Sequence, residues 1–513
     1  MQSVMRPEYG SQPESRMQRS GFDRSCGWKG TFDAGLLIPF FVDEAIPGDV
    51  FKVNTDMFIR LATSLRPTMD NLKASVHFWS CPWRVLWDNS KKFFGERTNP
   101  ADSIDYTIPQ TGSYSWAQNS LGDYMGIPPG INGKVNALPL RMYNFVYDEF
   151  YRAQELINSA TFPTDDGPDG SIGATYFVRR RGKRPDYFTT GLTAPQKGEA
   201  VSIPLGTTAP IFSDANTGQT LGIHSTQGDT VFRQMTASTA TLQANTSTVA
   251  DEGMFADLTN ASSATIIALR QSIAIQQFLE IDARGGTRFA EVIWAHFGTD
   301  FQDVRYRPEY LGGGTFDVIV NPIHQTSAQS TPTTSDELGQ LAGIGTGRGG
   351  NMGFTKAFDE WCYILGIVCV DADLNYQQGL DRLWSRQTRY DLFWPTFAFI
   401  GDQAIRNDEI YWQGTAADSD PFAYAPRYED YRWGRNLVTG LFRSSASGTL
   451  ESWHYAEDFA SLPTLGQTFI ESNPPIDRTI GVPSQPHFIA DVYNHVQCAR
   501  PIPLNGIPGL TRL

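Results

Sequence analysis

The fold class of this chain is decided by one stretch, Thr31 to Ile59, which reads TFDAGLLIPFFVDEAIPGDVFKVNTDMFI. Apolar residues fall on even positions from Phe32 to Val42 and on most odd positions from Phe51 to Ile59. This period of two is the pattern of a β-strand with one buried face. Pro47-Gly48 between the limbs is a turn signal, since proline presets φ and glycine permits positive φ. The stretch predicts a hairpin of two antiparallel core strands.

Further strands are predicted along the chain, separated by long and unequal loops. Residues 72–78 repeat the alternation, and residues 363–370 are apolar on both faces, as in a fully buried strand. Other strands are expected within residues 307–323, 409–413, 438–443 and 488–497, whereas 96–136 and 326–355 are expected to be loop. The pattern favours a mainly β protein, an eight-stranded antiparallel jelly-roll β-sandwich with long inter-strand insertions and a few helices.

Three helices are predicted between these strands. Pro82 and Gly95 bracket a short one, because proline fits the first helical turn and glycine the position past the end. Residues 138–157 have an amphipathic spacing whose aromatic stripe indicates core packing. Ser262 or Ser263 is expected to cap a helix that runs to about residue 281.

The composition indicates a protein that hides apolar surface against other molecules. The 513 residues carry a net charge of −14, yet only 19% are charged and 12% are aromatic. Chains of this kind often bury such surface against copies of themselves. The acidic total argues against a protein whose whole outside binds nucleic acid, although one basic face remains compatible with it.

The cysteines and the hydropathy exclude several classes of protein. Five widely spaced cysteines form no C-x-x-C pair, so we expect reduced, buried thiols and neither a zinc site nor a disulfide framework. Neither an N-terminal apolar segment nor a run of 18 apolar residues occurs. The sequence therefore predicts a soluble protein made in the cytosol, without membrane insertion.

Four regions are predicted. Residues 1–30 lack periodicity and carry a net charge of +2, so they are expected to form an N-terminal arm, either a frayed terminus or an arm along a neighbour or nucleic acid. Residues 31–197 form the first part of the jelly roll with helical insertions. Residues 198–262, rich in Thr, Ser, Ala, Asn and Gly, form a surface insertion, and residues 263–513 form the second part of the jelly roll with a C-terminal arm.

Two sets of basic residues are candidates for contact with nucleic acid. The run RRRGKR is followed by Tyr187 and Phe188, and cations beside aromatic rings suit a phosphate backbone with stacked bases. A solvated loop that pairs with acids of this chain is the alternative. The candidate residues, in the arm and in the run, are Arg6, Arg16, Arg19, Arg24, Arg179, Arg180, Arg181, Lys183 and Arg184.

A second cluster combines tyrosine, tryptophan and arginine near residue 430. This combination is over-represented at protein interfaces and also suits single-stranded nucleic acid, and the residues alone leave both open. The cluster consists of Tyr428, Tyr431, Arg432, Trp433 and Arg435, next to Tyr424 and Arg427.

No motif predicts catalysis, a cofactor or a metal. Gly345, Gly347 and Gly350 match G-x-G-x-x-G, but no βαβ unit surrounds them. The acid pairs Asp371/Asp373, Asp408/Glu409 and Glu429/Asp430 could supply two carboxylates for glycoside cleavage, yet exposed loop charge explains them as well. His296 and His454, beside aromatic residues, are expected to be core histidines with satisfied hydrogen bonds.

Six blocks of the sequence resemble the major capsid proteins of microviruses, small icosahedral phages with single-stranded DNA genomes, and most closely the gokushovirus-like branch. They occur in order from about residue 20 to the C-terminus and leave out 198–262. The blocks are FDRSCGWKGTFDAGLLIPFFVDEAIPGDVF (22–51), DARGGTRFAEVIWAHFG (282–298), RPEYLGGGTFDVIVNPI (307–323), GLDRLWSRQTRYDLFWPTFAFIGDQAI (379–405), APRYEDYRWGRNLVTGLFRS (425–444) and PIPLNGIPGL (501–510).

The resemblance implies a structural protein without catalysis, cofactor or metal. It implies sixty copies in a T=1 icosahedral shell, with the single-stranded DNA genome and a small basic DNA-binding protein at the inner wall. It also implies other minor virion proteins, synthesis in the cytoplasm of a bacterial host, and a threefold protrusion, built by residues 198–262, that meets a host surface receptor. The alternative from the residues alone is a carbohydrate-binding or glycan-cleaving β-sandwich.

Overall fold

The structure, a computed structural model, describes residues 19–97, 99, 101–199, 201, 266–299, 306–324 and 341–504, and the backbone of five short strands between 211 and 256. The chain divides into two compact units, one made of residues 1–193 and 301–513 and the other of 194–300. The predicted insertion, 198–262, therefore falls inside a longer unit, which also takes in two helices that the sequence assigned to the jelly roll.

The larger unit is built on one antiparallel sheet of nine strands. The order across the sheet is β1-β9-β4-β7-β6-β5-β8-β3, and β2 also pairs with β9. Because β1 and β2 share the same edge of β9, the sheet has the eight positions of the predicted jelly roll. The strands are β1 (Ser20–Asp23), β2 (Cys26–Phe32), β3 (Ile38–Ala45), β4 (Val50–Leu61), β5 (Leu72–Pro82), β6 (Glu309–His324), β7 (Leu341–Ala357), β8 (Cys362–Ala372) and β9 (Phe488–Arg500).

The two strands of the opening stretch exist, but the predicted hairpin between them is wrong. β3 pairs with β8, and β4 pairs with β7 and β9. The turn between them is closed by the Asp49 amide, which donates to the Ile46 carbonyl. Alternation shows which face of a strand is buried and does not identify its partner. The turn therefore leads the chain from one part of the sheet to another.

The sheet curls around an apolar core on its inner face. On β4 the side chains of alternate residues, from Phe51 to Leu61, are buried, as the sequence predicts. Trp28 of β2 and Phe40 of β3 lie 6.4 Å apart between ring centroids, although their strands are at opposite ends of the order. Phe78 of β5 contacts the Phe40 ring at 5.6 Å. Strands that are distant in the sheet thus pack their inner faces together, as in a jelly-roll sandwich.

Strand β7 corrects the prediction of loop for residues 326–355 over its described part. Its sequence, LAGIGTGRGGNMGFTKA, has glycine at alternate positions. A Cβ on Gly345 would lie 2.6 Å from Leu61 of β4, and one on Gly349 would lie 2.3 Å from Phe316 of β6. Large side chains of the two neighbouring strands fill the space over these glycines. The glycine-rich segment is therefore a central strand and not a nucleotide-binding loop.

A helical layer covers the outer face of β5 and β8. Its main helix, α1 (Leu138–Phe150), confirms the prediction from residue 138, although it ends seven residues before residue 157. Trp79 of β5 stacks on Phe150 at 4.0 Å, and Trp83 stacks on Tyr363 of β8 at 5.2 Å. With a core on each face, every residue of β8 is buried, as predicted for this segment.

One buried ion pair fixes α1 to the loop behind it. The Arg141 guanidinium donates to both carboxylate oxygens of Asp169, at 2.5 and 3.1 Å, and both side chains are almost fully buried. The Tyr176 hydroxyl donates to the same carboxylate at 2.5 Å. Arg141 also donates to the carbonyl of Leu86. The pair satisfies most of its hydrogen-bonding groups inside the protein, as a buried charge requires.

The remaining elements of the larger unit are short. The predicted helix after Pro82 is two single turns, and the strands predicted at 409–413 and 438–443 are instead a helical turn and a 3-10 turn. In these segments the apolar residues reflect local packing without strand pairing. The short elements are the helical turns Trp83–Leu86, Ser90–Phe93, Leu121–Tyr124, Ile172–Thr175, Arg382–Ser385, Asn407–Ile410 and Gln467–Ile470, the 3-10 turns Arg389–Asp391, Pro395–Phe397, Ala416–Ser419, Glu429–Tyr431, Gly440–Phe442, Glu451–Trp453 and Ile476–Arg478, and the strand pairs Tyr114–Ser115 with Asn132–Gly133 and Asp402–Arg406 with Pro421–Pro426.

The described residues of the smaller unit form two helices and five short strands. Helix α2 (Ile266–Gly285) confirms the helix predicted after Ser263, whose cap lies outside the described residues. It is followed by α3 (Phe289–Phe297), which ends at Gly298 with a φ of 64°. The strands, described by their backbone, are Ile211–Ser213 with Met254–Ala256, and Phe232–Ser238 with Thr241–Val249 and Gly222–Ile223.

The structure also bears on the predicted state of the cysteines and on the predicted lack of membrane insertion. All five cysteines are free, and four of them are buried, but Cys26 of β2 is exposed, contrary to the expectation of buried thiols throughout. Burial raises the pKa of the Cys81 and Cys369 thiols well above the usual value. Among the described residues, no helix is long and apolar enough to span a membrane.

Candidate nucleic-acid and assembly surfaces

The basic run lies between two other segments of the chain. The Arg181 amide donates to the Gly35 carbonyl, and the Leu37 amide donates to the Arg179 carbonyl. On its other side the Ser472 amide donates to the Arg181 carbonyl. These backbone bonds hold the run against the loop before β3 and against the segment near residue 471. The run is therefore part of the folded unit rather than a separate basic loop.

Four cations of the run make contacts within the chain. The Arg179 guanidinium lies 4.2 Å from the Phe177 ring centroid, and burial lowers its pKa. Arg180 donates to the carbonyls of Ala34 and Ser472 at 3.2 and 3.1 Å. Two ion pairs complete the set, Arg181 with Asp371 at 3.5 Å and Lys183 with Glu457 at 2.7 Å. Contact of Arg179, Arg180, Arg181, Lys183 and Arg184 with DNA stays a prediction.

The last part of the predicted N-terminal arm, residues 1–30, belongs to the sheet. Residues 20–32 form β1 and β2, which pair with β9, so an arm that extends to residue 30 is wrong. Arg24 forms a bidentate ion pair with Asp43, at 2.7 and 2.9 Å. Arg19 is exposed. Arg6 and Arg16 lie outside the described residues.

An outer sheet face that combines cations with aromatic rings was missed by the search for charged runs. Its exposed side chains point away from the core and include Lys52, Phe58 and Arg60 of β4, Arg348 of β7, and Ile489 and Tyr493 of β9. The acids Asp56, Asp317 and Asp491 lie on the same outer sheet face, so its cations alternate with carboxylates. In the register, Phe58 is directly opposite Arg348, and Arg60 is directly opposite Ile489. Alternation in the sequence places the three β4 residues on one face, but only strand pairing brings the others beside them.

A cleft adjoins the outer sheet face, and Asp123 and Asp491 are among its lining residues. It has a volume of about 620 Å³ and is lined by the rings of Trp28 and Phe58 together with Lys29 and Arg60. Lys29 is exposed and 3.9 Å from the Asp491 carboxylate. Cations next to aromatic rings match the two components of single-stranded nucleic acid, its phosphates and its bases.

The predicted tyrosine and arginine cluster is spread over several environments. Tyr428 is buried, with a φ of 66°, and Tyr431 is half exposed. Arg432 pairs with Glu429, whose other oxygen accepts from the Trp433 indole at 2.8 Å. Arg435 is turned inward, where it donates to the Leu380 carbonyl at 3.1 Å and faces the Phe188 ring. The structure thus brings Tyr428 and Tyr431 together, at 6.1 Å, and directs Arg435 elsewhere.

The acid pairs are structural, and the expectation of exposed loop charge is wrong for three of their members. Asp371, Asp408 and Glu409 are buried. Arg406 pairs with Asp408 at 2.6 Å, and Arg382 pairs with Glu409 at 3.1 Å. Each of these three carboxylates faces an arginine of this chain, which leaves them poorly placed for a substrate between two carboxyls.

The two histidines singled out by the sequence have hydrogen-bond partners, as predicted. His296 is 2.7 Å from the Asp282 carboxylate, and His454 is 2.6 Å from the Phe442 carbonyl. Across the described residues, no group of three or more His, Cys, Asp or Glu side chains is arranged to hold a metal ion. The arrangement of side chains supports contacts with large partners more than it supports chemistry on a small one.

The class of proteins built on a jelly roll includes viral capsid and lectin domains. The comparison with known proteins narrows this class. The family model described as "Capsid protein (F protein)" matches residues 11–510, so the chain belongs to this capsid protein family.

Three similar proteins, each named "Capsid protein VP1", extend along nearly the whole chain. The chain is 42% identical to that of Bdellovibrio phage phiMH2K, with 97% of this chain and 96% of the relative covered. It is 38% identical to that of Chlamydia phage 1, with 100% and 99% covered, and 32% identical to that of Spiroplasma virus 4, with 94% and 93% covered. The resemblance to microvirus capsid proteins is confirmed, and the family places the chain in the many-copy shell of a virion.

Proposed function

We propose that this protein forms a T=1 icosahedral shell of sixty copies around a single-stranded DNA genome. The observation that carries the proposal is the match to the capsid family over residues 11–510, on a chain whose larger unit is a jelly roll. The capsid family's name points to a structural role without catalysis. Synthesis in the cytoplasm of a bacterial host, a small basic DNA-binding protein and other minor virion proteins belong to the same proposal.

The assembly is tested by expressing the full chain and examining the product by electron microscopy. Closed particles of one diameter with sixty subunits by mass are the expected result. The enclosed nucleic acid should be degraded, after the particles are opened, by a nuclease specific for single strands. Shells of another subunit number, or shells with double-stranded DNA, would contradict the proposal.

Genome contact is proposed for the cations and rings of the outer sheet face in addition to the predicted arm and run. Lys52, Arg60 and Arg348 are exposed, whereas four cations of the run at 179–184 have partners inside the chain. Phe58 and Tyr493, which are 45% and 48% exposed, offer rings to unpaired bases between these cations. Exposed cations release counterions when they bind phosphate, which favours binding to DNA of any sequence.

Replacement of Lys52 and Arg60 by alanine tests this contact. The slope of log affinity against log salt, measured with single-stranded DNA and the protomer, should fall by roughly 1.4, since each phosphate contact contributes ~0.7. The matched control is Lys91→Ala with Lys134→Ala, two exposed lysines outside the face. An unchanged slope in the first variant, or an equal fall in the control, would exclude the sheet face.

Host attachment is proposed for the smaller unit. It forms a compact unit in its own right and contains the predicted insertion, 198–262. We propose that it projects from the shell at the threefold axes and contacts a host surface receptor. No observation favours the carbohydrate-binding or glycan-cleaving alternative, because Asp371, Asp408 and Glu409 are paired with arginines.

A further inference from the structure

An exposed aromatic surface lies on the segment between β8 and β9. We define it by six rings linked by contacts, Tyr390, Phe393, Trp394, Phe397, Tyr428 and Tyr431, together with the exposed rings of Trp384 and Phe399 in the same segment. Four of them, Tyr390, Phe393, Trp394 and Tyr431, are each about half exposed, and Trp384 and Phe399, nearby in the chain, are 75% and 96% exposed. Folded monomers rarely expose contiguous apolar patches of this kind.

The surface is ordered by its own contacts. Phe393 lies 5.0 Å from Tyr428 and 6.3 Å from Tyr431 between ring centroids. The Tyr428 hydroxyl accepts from the Trp394 amide at 3.4 Å. Residues 394–400 form a tight turn in which the Phe397 amide donates to the Trp394 carbonyl at 3.0 Å. This turn presents Phe399 to solvent.

The arginines of the surface already have partners in the chain. Arg386 donates to Asp430 at 2.5 Å and lies over the Tyr431 ring at 4.4 Å. Arg427 lies over the rings of Phe397 and Tyr428, at 5.9 and 5.4 Å. Arg432, next to Tyr431, pairs with Glu429, so two arginines at the surface are neutralised by acids of the chain. This neutralisation weakens the attraction of the surface for phosphates and favours protein over nucleic acid as its occupant.

We propose that the aromatic surface is buried against a second copy of this chain, and this proposal rests on the shell proposed above. Aromatic residues and arginine are the residue types enriched in the anchors of protein interfaces. The exposed aliphatic side chains of Leu392 and Ile400 in the same segment bury area against a protein but do not stack on bases. A many-copy shell supplies the partner, since every protomer carries the same surface and meets several neighbours.

Phe399→Ser tests the contact without disturbing the protomer. A side chain 96% exposed contributes almost nothing to the protomer's core, so the melting temperature of the variant protomer should be that of the wild type. Loss of one aromatic anchor should raise the protein concentration needed for assembly roughly thirtyfold. The controls are Phe399→Leu, which keeps an apolar side chain, and Gln387→Ser, a polar change in the same segment. Assembly of Phe399→Ser at the wild-type concentration would overturn the proposal.

Oxidative footprinting of the wild-type protein gives an independent measurement. Trp384 and Trp394 should react in dissociated protomers and should be at least about tenfold less reactive in assembled shells, whereas the buried Trp116 is unreactive in both. Empty and DNA-filled shells, separated by density, should give the same protection. Equal reactivity in shells and protomers, or protection only in filled shells, would overturn the proposal. A wild-type chain that makes no shells would instead overturn the proposed function on which it rests.

Discussion

His77 on β5 is a basic side chain held without charge inside the protein. Its Nδ1 lies 2.7 Å from the Tyr151 hydroxyl, and the ring stacks on Tyr151. Burial, aided by the positive charges of Arg181 and Arg184, lowers the pKa of His77 to about 4, from an ordinary value of 6.5. Two residues of the basic run therefore influence the acid sensitivity of the fold.

Acid should destabilise the protomer through His77. Between pH 6.5 and about 4 the unfolded chain takes up a proton at this histidine that the folded chain does not bind, so the free energy of unfolding falls as the pH falls. In His77→Gln the fall between pH 7 and 4.5 should be smaller by roughly 2 kcal/mol, at ~1.4 kcal/mol per pKa unit. Urea unfolding at each pH measures the free energy of unfolding of both proteins. An identical pH dependence in His77→Gln and in the exposed control His324→Gln would contradict the assignment.

The ion pair of Arg141 and Asp169 gives a second prediction at this scale. Asp169→Asn should cost about 3–5 kcal/mol of stability, because it leaves a buried guanidinium without its countercharge. Asp165 is the matched control, since its carboxylate is 3.6 Å from Arg141 but 76% exposed. Asp165→Asn should cost less than about 1 kcal/mol. Equal losses of melting temperature in the two variants would show that burial of the pair is unimportant.

At the scale of elements, β7 depends on the absence of side chains. Gly345→Ala and Gly349→Ala each place a methyl group within 2.6 Å of a neighbouring side chain, and overpacking of this kind costs about 1–3 kcal/mol. Gly21→Ala on β1, with no atom within 4 Å of the added carbon, should leave the melting temperature nearly unchanged. A similar melting temperature for all three variants would be evidence that β7 does not pack as a central strand.

Most of the sheet was predictable because its strands carry large apolar side chains with a period of two. β4, β5 and β9 are confirmed for this reason, and β8 is confirmed because its run is apolar on both faces. β7 was missed because the residues that alternate along it are glycines, and glycine has a low strand propensity. The pairing of β3 was also mispredicted, since partner choice depends on contacts between distant segments.

The candidate surfaces were less predictable than the sheet. Counting charges located the run at 179–184 but could not show that Asp371 and Glu457 neutralise two of its cations. The cluster near residue 430 was located by composition, and only the structure adds Phe393 and Arg386 to it. Segments distant in sequence assemble each surface, so a local pattern reveals only part of it.

For the whole molecule, the division into two units predicts that residues 205–255 of the smaller unit are dispensable for folding of the larger one. Replacement of residues 205–255 by a short Gly/Ser linker should give a folded protomer, because loop length adds little to the cost of folding. Particles of this variant should lose host adsorption. A linker of the original length is the control for spacing and should also fail to adsorb. Insoluble expression would assign the segment to the core, and normal adsorption would place the receptor site elsewhere.

The pairing of β1 with β9 has a consequence for the timing of synthesis. Ser20 of β1 is opposite Arg500 of β9, and β4 has β9 as its partner on one side. β1 and β4 are therefore synthesised long before the strand with which they pair. At ~5–20 residues per second a ribosome needs roughly 25 to 95 seconds for that interval. Until β9 has been made, β4 lacks its partner on that side. The sheet is therefore completed late in synthesis, and the pairing of β9 is the step that converts the separate strands into a folded subunit.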